Sequence, residues 1–561
     1  MIEKNQTGAD VAGRPLPELT EENRFFWTSG ADNQLRVQEC QSCSALIHPP
    51  VPVCRYCRGQ QMGVRDVSGY ATLIGFTVNH RFGLPGMPPP YVIAQVALED
   101  DPRVRLTTNA IECDPDSLEL GMRMEVVFQQ EEDVWLPLFR PTAEQGTPAP
   151  LPVDEVEPEQ VWRYVRPMVS QDKFEDKVAI TGVGMSQIGR RLMRPPLSLT
   201  IEACERAIAD AGLTLDDIDG LSTYPGGGPT GPFGEGGMTA LESALGIRPT
   251  WYNGGMETFG PGGSVIAAML AVASGLARHV LCFRTVWEAT HGEYVKQGKL
   301  SPMIGSGRTT SWQIPFGALS AAHTLAQNAQ RHFHRYGTTR ETLGWIALNQ
   351  RANAELEPTA IYRDKMTMED YLSARTITTP FGLYDCDVPC DAATAVIVSA
   401  RDAAEDLAKP PVYVEAVGTQ IIERLDWDQS TLTHEPQVLG QAAHMWSRTT
   451  LQPQDIDVAQ LYDGFTFNCL SWIEALGFCG IGEAKDFLDG GKNIARDGLI
   501  PINTHGGQLS HGRTHGMGLI HEAVIQLRGE GGARQVADAK TAVASSGGLT
   551  PSGVVLLRNY A

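Results

Sequence analysis

The sequence predicts a protein in which a small metal-binding β domain precedes a larger α/β domain built from two repeated halves. Three features support this interpretation. Four cysteines form two regularly spaced pairs between residues 40 and 57, and a Pro- and Glu-rich stretch interrupts the chain at 141–176. One residue pattern also occurs twice in the remainder. A length of 561 residues is too great for one ordinary core.

The composition is that of a globular protein, with 42% hydrophobic and 20% charged residues. The formal net charge of -21 argues against binding to nucleic acid or to an anionic membrane, because both require a basic face. The first residues lack the apolar core of a signal peptide, and no stretch approaches 18 uninterrupted apolar residues. We therefore expect a cytoplasmic protein without membrane insertion.

The four cysteines, Cys40, Cys43, Cys54 and Cys57, have the spacing C-x2-C-x10-C-x2-C. Two such pairs can present four thiolates at the corners of a tetrahedron, the arrangement that Zn²⁺ prefers. Four cysteine ligands leave no open position on the metal, so we predict a structural zinc ion. A redox dithiol fits less well, because both pairs lie in short loops rich in proline.

Short β-rich runs follow the cysteines, among them GYATLIGFTV, YVIAQVAL, RVRLTTNAI and MRMEVVFQ. About five such strands suit a small closed barrel, which leaves no free strand edges. The sequence therefore predicts a first domain over residues 1–140, a linker over 141–176 and a second domain over 177–561.

The second domain contains an internal repeat. Residues 213–224, LTLDDIDGLSTY, recur in pattern as LQPQDIDVAQLY at 451–462, so that Tyr224 corresponds to Tyr462. Each copy follows an opening strand, VAITGVG or VYVEAVG, and precedes a glycine-rich turn that leads into a helix. The matching order of these elements indicates duplication, with halves at about 177–410 and 411–561.

Both predicted domains resemble known families. Residues 20–140 are similar to the zinc-ribbon and OB-fold domains that accompany acyl-CoA enzymes. Residues 177–561 resemble the sterol-carrier-protein-x thiolases and lipid-transfer-protein relatives, through INTHGGQLSHG, IDVAQLYDGFTFNCLSWIEALGFCGIGEA and DCDVPCDAATAVIV. This resemblance implies the five-layered αβαβα thiolase fold, a substrate linked to coenzyme A and a homodimer formed through the second domain.

The chain departs from thiolases at the residues that carry their chemistry. Thiolases use a nucleophilic cysteine at a helix N-terminus, together with a second cysteine and a histidine. The corresponding turn reads NGGMETFGPGGS, with Phe259 near the position of the sulfur. The last glycine loop offers only Ser545 and Ser546, and Arg513 replaces the histidine. An acyl-enzyme formed by the usual route is therefore not expected.

Among these relatives, the aldolases that shorten steroid side chains resemble this chain in having a tyrosine at the position of Tyr462. The resemblance implies retro-aldol cleavage of a β-hydroxyacyl-CoA with a bulky hydrophobic end, such as a steroid. We predict Tyr462 as the base, with its pKa lowered by nearby cations. His505, Arg513 and His515 are its predicted partners: Arg513 would hold the enolate oxygen or lower the pKa of Tyr462, and His515 would reprotonate the enolate.

Four glycines in the last two loops, Gly506, Gly507, Gly547 and Gly548, are predicted to contact coenzyme A. Residues 224–260 would help to line the substrate pocket. Two alternatives stay open at this point. One is an acyltransferase that uses an unusual nucleophile such as Ser545 or Cys386, and the other is a non-catalytic carrier of lipid or acyl-CoA.

Overall fold

The structure is a computed structural model. It describes residues 13–81, 83–84, 86–144, 146–151, 156–224, 231–234, 237–255, 260–301, 310–424, 426, 428–547 and 553–561, without the side chains of residues 261 and 310.

The strands are β1 Arg36–Cys40, β2 Leu46–Ile47, β3 Met62–Asp66, β4 Tyr70–Asn79, β5 Tyr91–Leu98, β6 Arg105–Ala110, β7 Arg123–Glu131, β8 Val134–Pro141, β9 Val178–Met185, β10 Gly220–Thr223, β11 Trp251–Gly254, β12 His279–Trp287, β13 Thr376–Thr378, β14 Phe381–Gly382, β15 Asp391–Ala400, β16 Val412–Gly418, β17 Val458–Gln460, β18 Thr541–Ser545 and β19 Val554–Arg558.

The helices are α1 Arg24–Trp27, α2 Pro196–Ala211, α3 Gly237–Leu245, α4 Gly260–Ala273, α5 Glu288–Lys296, α6 Thr310–Gln313, α7 Ala321–Tyr336, α8 Arg340–Glu355, α9 Met368–Ser373, α10 Arg401–Ala404, α11 Val438–Trp446, α12 Thr466–Ala475, α13 Ala484–Phe487 and α14 Met517–Leu527. Within the described ranges, no helix has both the length and the apolar character needed to cross a membrane.

The chain divides into two compact units. The first comprises Met1–Asp154, Ile304–His334 and Thr376–Phe381. It contains the small sheet β2-β1-β3 and a barrel in which β4, β5, β6, β8 and β7 follow one another and β7 pairs back to β4. This closed barrel of five strands behind a small metal-binding sheet confirms the predicted fold of the N-terminal region.

A later segment of the chain supplies part of the core of the first unit. The ring of Trp312, in α6, stacks on Trp27 with 5.0 Å between the ring centroids and contacts Phe26 edge-on. The side-chain amide of Asn109 donates to the carbonyl of Phe316 over 2.9 Å. Trp312 and Phe316 therefore stabilise the barrel unit, although the sequence places them inside the second predicted domain.

The second unit comprises Glu155–Met303, Arg335–Arg375 and Gly382–Ala561. Its first half has the strand order β11-β10-β12-β15-β9, and its second half has the order β16-β19-β18-β17. The opening strands of the two halves, β9 and β16, pair antiparallel with each other. Each half thus has its first strand next to its last, which confirms the duplication that the repeat predicted.

The apolar residues of the second unit pack in layers around α4 and α14. Both helices lie in one core with residues from β9, β15, β16 and β19. On the other face of the first half, α2 packs against alternate residues such as Leu281, Phe283 and Ile397. Strands buried on both faces read as near-continuous apolar runs, as β12 and β15 do. The arrangement is the five-layered αβαβα fold.

Equivalent glycines let the first helix of each half approach its opening strand. A Cβ on Gly184, in β9, would lie 2.3 Å from the carbonyl oxygen of Ala203 in α2. A Cβ on Gly418, in β16, would lie 2.0 Å from the carbonyl oxygen of Gln441 in α11. The glycines that end VAITGVG and VYVEAVG thus have the same packing role in both halves.

Replacing Trp312 tests the contribution of the later segment to the barrel unit. We expect Trp312→Ala to lower the free energy of unfolding by about 3–5 kcal/mol, because it leaves a cavity against Trp27 and Phe26. The exposed Trp162 provides the control, and Trp162→Ala should change stability by no more than about 0.5 kcal/mol. Urea titration followed by circular dichroism measures both, and equal small effects would contradict the assignment.

Candidate functional site

The four predicted zinc ligands converge beside the sheet β2-β1-β3. The sulfur atoms of Cys40, Cys43, Cys54 and Cys57 all lie within 4.8 Å of one another. The Sγ atoms of Cys40 and Cys57 are 3.5 Å apart, and those of Cys43 and Cys54 are 3.7 Å apart. A tetrahedral zinc ion with Zn–S bonds of about 2.3 Å requires sulfur separations of about 3.8 Å. The thiols therefore fit a structural zinc ion.

The two cysteine pairs form equivalent turns. Ser44 and Arg58, the residues that follow each pair, have left-handed φ angles of 57° and 67°. Their N–H groups donate to the carbonyls of Cys40 and Cys54 over 2.8 and 2.9 Å. Repeating the same turn brings the two thiols of each pair to one side, which explains why the spacing C-x2-C occurs twice.

In the second unit, Tyr462 lies directly beyond the end of β17 and is buried. Its N–H donates to Oγ of Ser545, at the end of the neighbouring strand β18, over 2.9 Å. A Cβ on Gly547 would lie 2.2 Å from the tyrosine ring, and a Cβ on Gly464 would lie 2.8 Å from it. Glycines thus provide the space that the ring occupies.

Arg513 is held between two carboxylates. Its Nη1 lies 3.1 Å from both carboxylate oxygens of Glu288, and its Nε lies 3.0 Å from Oδ2 of Asp387. The guanidinium carbon also lies 5.0 Å from the centroid of the Phe233 ring. The charge-assisted hydrogen bonds to Glu288 orient the guanidinium, whereas the contact of Nε with Asp387 is an ion pair without hydrogen-bond geometry. Arg513 is therefore a positioned cation whose charge is largely compensated.

The prediction that cations lower the pKa of Tyr462 is wrong for this structure. Burial raises the pKa of Tyr462 above its ordinary value, and the charges of Asp387 and Glu435 act in the same direction. Arg513 and the amide of Gln508 act in the opposite direction but do not prevail. Because burial outweighs the charge of Arg513, Tyr462 keeps its proton near neutral pH.

Asp387 is a site residue that the sequence reasoning missed. Burial raises its pKa to about 7, the nearby Glu288 and Asp463 add to the effect, and Arg513 opposes it. A carboxyl group that titrates near neutral pH is suited to general base catalysis. The sequence does contain a relevant signal, because Asp387 lies in the run DCDVPCD, which carries part of the family resemblance.

His515 is neutral and has a fixed tautomer. Its Nδ1 lies 2.5 Å from Nη2 of the buried Arg284, and its ring stacks on Phe233 at a centroid distance of 5.2 Å. Arginine is always a donor, so Nδ1 accepts and Nε2 carries the hydrogen. Burial and the charges of Arg284 and Arg513 hold the pKa of His515 well below its usual range. His515 is thus a hydrogen-bond donor. Because its imidazole is neutral, it does not have the protonated form that its predicted role of reprotonating the enolate requires.

The structure does not bring His505 into this cluster. Its ring lies 4.9 Å from that of His511, and both line a separate cavity of about 580 Å³ with His521, Glu522 and Arg534. The reason is a reversal of the chain at Gly506 and Gly507, whose φ angles are 102° and 57°. His505 precedes this turn, whereas the residues that face Tyr462 follow it.

The glycines predicted to contact coenzyme A have packing roles in the protein itself. A Cβ on Gly506 would lie 2.5 Å from Cβ of Ala354, and one on Gly507 would lie 1.9 Å from Oδ2 of Asp463. Gly547 makes room for the Tyr462 ring, as described above. Gly548 lies outside the described residues, as does Phe259. Contact of these loops with coenzyme A stays a prediction.

The candidate nucleophiles of the acyltransferase hypothesis are engaged or protonated. Burial, followed by the charge of Asp385, raises the pKa of the Cys386 thiol well above its usual value. Burial, followed by the charge of Glu288, does the same for Cys390, whose Sγ donates to the carbonyl of Arg513 over 3.0 Å. Ser545 accepts the N–H of Tyr462, and Oγ of Ser546 accepts the N–H of Gly262 over 2.9 Å. None of these groups is arranged as an activated nucleophile.

Family models match three parts of the chain. Residues 27–63 match the rubredoxin-like zinc ribbon domain of ChsH2, and residues 64–129 match its C-terminal OB-fold domain. Residues 425–557 match the thiolase C-terminal domain-like family. The predicted zinc ribbon, OB-fold and thiolase-like domain are thereby confirmed.

Comparison with individual proteins identifies the family to which the larger part of the chain belongs. The steroid side-chain-cleaving aldolase of Thermomonospora curvata is 34% identical over 390 residues, which cover 67% of this chain and 97% of that protein. This chain belongs to the steroid side-chain-cleaving aldolases of the thiolase superfamily. The 17-hydroxy-3-oxo-4-pregnene-20-carboxyl-CoA lyase of Mycobacterium tuberculosis is also 34% identical, over 68% of this chain and 99% of its own length.

A solved structure agrees with this membership. The aldolase described as Ltp2-ChsH2(DUF35) has a TM-score of 0.61 and 31% identity to this chain, over 68% of this chain and 98% of its own. The family models show in addition that the present chain carries a zinc ribbon and an OB-fold domain in the same polypeptide as the thiolase-like domain. The family resemblance drawn from the sequence is confirmed.

Proposed function

We propose that this aldolase cleaves the Cα–Cβ bond of a β-hydroxyacyl-CoA thioester, giving a ketone or aldehyde and a shorter acyl-CoA. The observation that carries the proposal is the cluster of the buried Tyr462 with the partly buried Arg513 and Asp387, which combines a protonated phenol, a cation and a carboxylate that titrates near neutral pH. Retro-aldol cleavage requires proton transfer and charge stabilisation but no covalent intermediate.

The substrate is proposed to be a steroid, or a molecule of similar bulk, whose side chain ends in the coenzyme A thioester. Support comes from the relatives, one named for cleaving steroid side chains and one named as the lyase of a pregnene carboxyl-CoA. The Phe233 ring, stacked on His515 and packed under Arg513, offers an apolar surface beside the polar groups. This placement supports the prediction that part of the 224–260 region lines the pocket.

The reaction is balanced by two proton transfers. A base removes the proton of the β-hydroxyl, the Cα–Cβ bond breaks, and its electron pair passes into the thioester as an enolate. The β carbon becomes the carbonyl carbon of the first product. An acid then protonates the α carbon, which yields the shorter acyl-CoA. No oxidant or reductant is required.

We assign the base to Asp387 and the acid to Tyr462. Two groups whose environments push their pKa values apart divide the acid and base roles between them. Asp387 titrates near 7 and is ionised at neutral pH in an appreciable fraction, whereas the pKa of Tyr462 is raised and its proton is retained. Arg513 forms an ion pair with the Asp387 carboxylate and places positive charge beside the phenol. This assignment replaces the sequence-based interpretation of Tyr462 as the base.

Replacing Tyr462 tests its role. We expect Tyr462→Phe to lower kcat for cleavage by about 10²- to 10⁴-fold, because it removes the acid but keeps the ring among its glycines. Tyr413→Phe provides a control, since Tyr413 is a buried tyrosine of β16 outside the cluster. Product analysis with a panel of β-hydroxyacyl-CoA thioesters measures both. Cleavage by Tyr462→Phe at the wild-type rate would refute the assignment, and a wild-type protein that binds thioesters without forming a carbonyl product would favour the carrier hypothesis.

The pH dependence tests Asp387. We expect kcat/KM to fall as the pH decreases through about 7, because protonation removes the base. The charged and titratable groups that interact with Asp387 are Arg513, Glu288, Asp463, Tyr462, Cys386 and Cys390. Asp387→Asn should abolish this dependence and lower kcat.

Glu288→Gln is the matched variant for that experiment. Glu288 raises the pKa of Asp387, so its neutralisation should keep the inflection but move it to lower pH. An unchanged profile in Asp387→Asn would show that another group is the base.

We propose that the protein is a homodimer formed through the second unit. Within the described part of the chain, β11 pairs only with β10, and the residues Tyr252 and Leu270 are 68% and 50% exposed. An unpaired strand edge beside exposed apolar residues favours association.

Light scattering tests this proposal. The wild type should be a dimer, and the double variant Tyr252→Lys, Leu270→Lys should be a monomer. A monomeric wild type would refute the proposal.

We also propose a cytoplasmic location. All eleven cysteines are free thiols, and four of them form the zinc site. Reduced cysteines and a thiolate-bound metal suit a reducing compartment.

A further inference from the structure

We infer that Gln508 donates from its side-chain Nε2 to the thioester oxygen as that oxygen becomes an enolate. This inference deepens the proposed retro-aldol function and rests on it. Two independent observations carry it: the side chain is fixed in one orientation, and its donor has no acceptor among the described residues.

The orientation of Gln508 is fixed at both ends. The residue lies in a short π-helical turn, Gly507–His511, and its N–H donates to Oδ1 of Asp463 over 2.8 Å. Its Oε1 accepts the N–H of His515 over 2.8 Å. An amide nitrogen cannot accept a hydrogen bond from a backbone N–H, so the side chain cannot be flipped. The Nε2 group must therefore point away from the His515 backbone.

The Nε2 atom of Gln508 is completely buried and makes no hydrogen bond within the described residues. Buried polar groups in folded proteins are normally paired, and an unpaired donor requires a specific explanation. Oxygen of a bound substrate supplies that explanation. Because Nε2 can only donate, it suits an oxygen that gains negative charge, whereas the β-hydroxyl must lose its proton to an acceptor.

The position of Gln508 places this donor at the reaction centre. Its amide interacts with the Tyr462 hydroxyl and acts to lower the pKa of that group. Its Oε1 is bonded to His515, whose Nε2 carries a hydrogen because Nδ1 faces Arg284. The Gln508 donor thus lies beside the acid that protonates the enolate. Donors held in place before reaction stabilise a developing oxyanion without reorganisation.

Substitution of Gln508 separates this role from simple packing. We expect Gln508→Met to lower kcat for cleavage by about 10²- to 10³-fold with little change in KM, as loss of one oxyanion donor does. Gln508→Glu keeps the acceptor for the His515 N–H but places negative charge against the enolate, so it should be at least as impaired. The control is Gln526→Met, because Gln526 is buried but its Nε2 is already paired with Glu522 and Arg534.

A binding measurement distinguishes this inference from the proposed function. Carboxymethyl-CoA carries an anionic group where the enolate would form, and ethyl-CoA is its neutral counterpart. Calorimetry should show a preference for the anionic probe in wild type and in Gln526→Met but not in Gln508→Met. Retention of kcat and of this preference in Gln508→Met would overturn the inference. Absence of cleavage by wild type, with the preference intact, would overturn only the proposed function.

Discussion

The compensation of Arg513 by Glu288 and Asp387 is the interaction on which the chemistry of the site depends. A free guanidinium beside a buried phenol would stabilise the phenolate, and Tyr462 would then be a base. Instead, two carboxylates lie 3.0–3.1 Å from the guanidinium nitrogens and take up its charge. Burial therefore determines the state of Tyr462, which retains its proton. Asp387 is ion-paired with the same guanidinium, so Arg513 interacts with both the phenol and the carboxylate.

The fold brings these groups together from distant parts of the sequence. Tyr462 lies beyond β17, Asp387 precedes β15, and Glu288 begins α5 after β12. Strand ends of α/β sheets are the usual place for binding and catalytic groups, because the strands hold their backbone rigidly while the loops present side chains. Glycines then allow close approach, as Gly547 does at the Tyr462 ring.

The sequence was sufficient for the zinc site, the duplication and the clustering of Tyr462 with Arg513 and His515, since each depends on local spacing or on a motif. It was insufficient where packing between distant segments decides. Trp312 joins the core of the first unit through contacts with Trp27, which no periodicity reveals. His505 immediately precedes a glycine turn whose direction a sequence does not specify, and it faces another cavity. The pKa of Tyr462 depends on whether Arg513 is already paired, which is a property of the folded structure.

The two halves of the second unit show how duplication permits a change of chemistry. Tyr224 and Tyr462 occupy equivalent positions after β10 and β17, and both are buried. Tyr224, however, lies beside the guanidinium of Arg284. That guanidinium donates hydrogen bonds to the Phe233 carbonyl and to Nδ1 of His515. Tyr462 instead lies near Arg513, which is paired with carboxylates. Arg284 thereby fixes the tautomer of His515, a residue that belongs to the other half. The first half thus supplies Arg284, which fixes the tautomer of His515, and the second half supplies the phenol of Tyr462 that is proposed to react. With the nearby thiols of Cys386 and Cys390 held protonated by burial and neighbouring carboxylates, proton transfer is the chemistry that this arrangement of groups can perform.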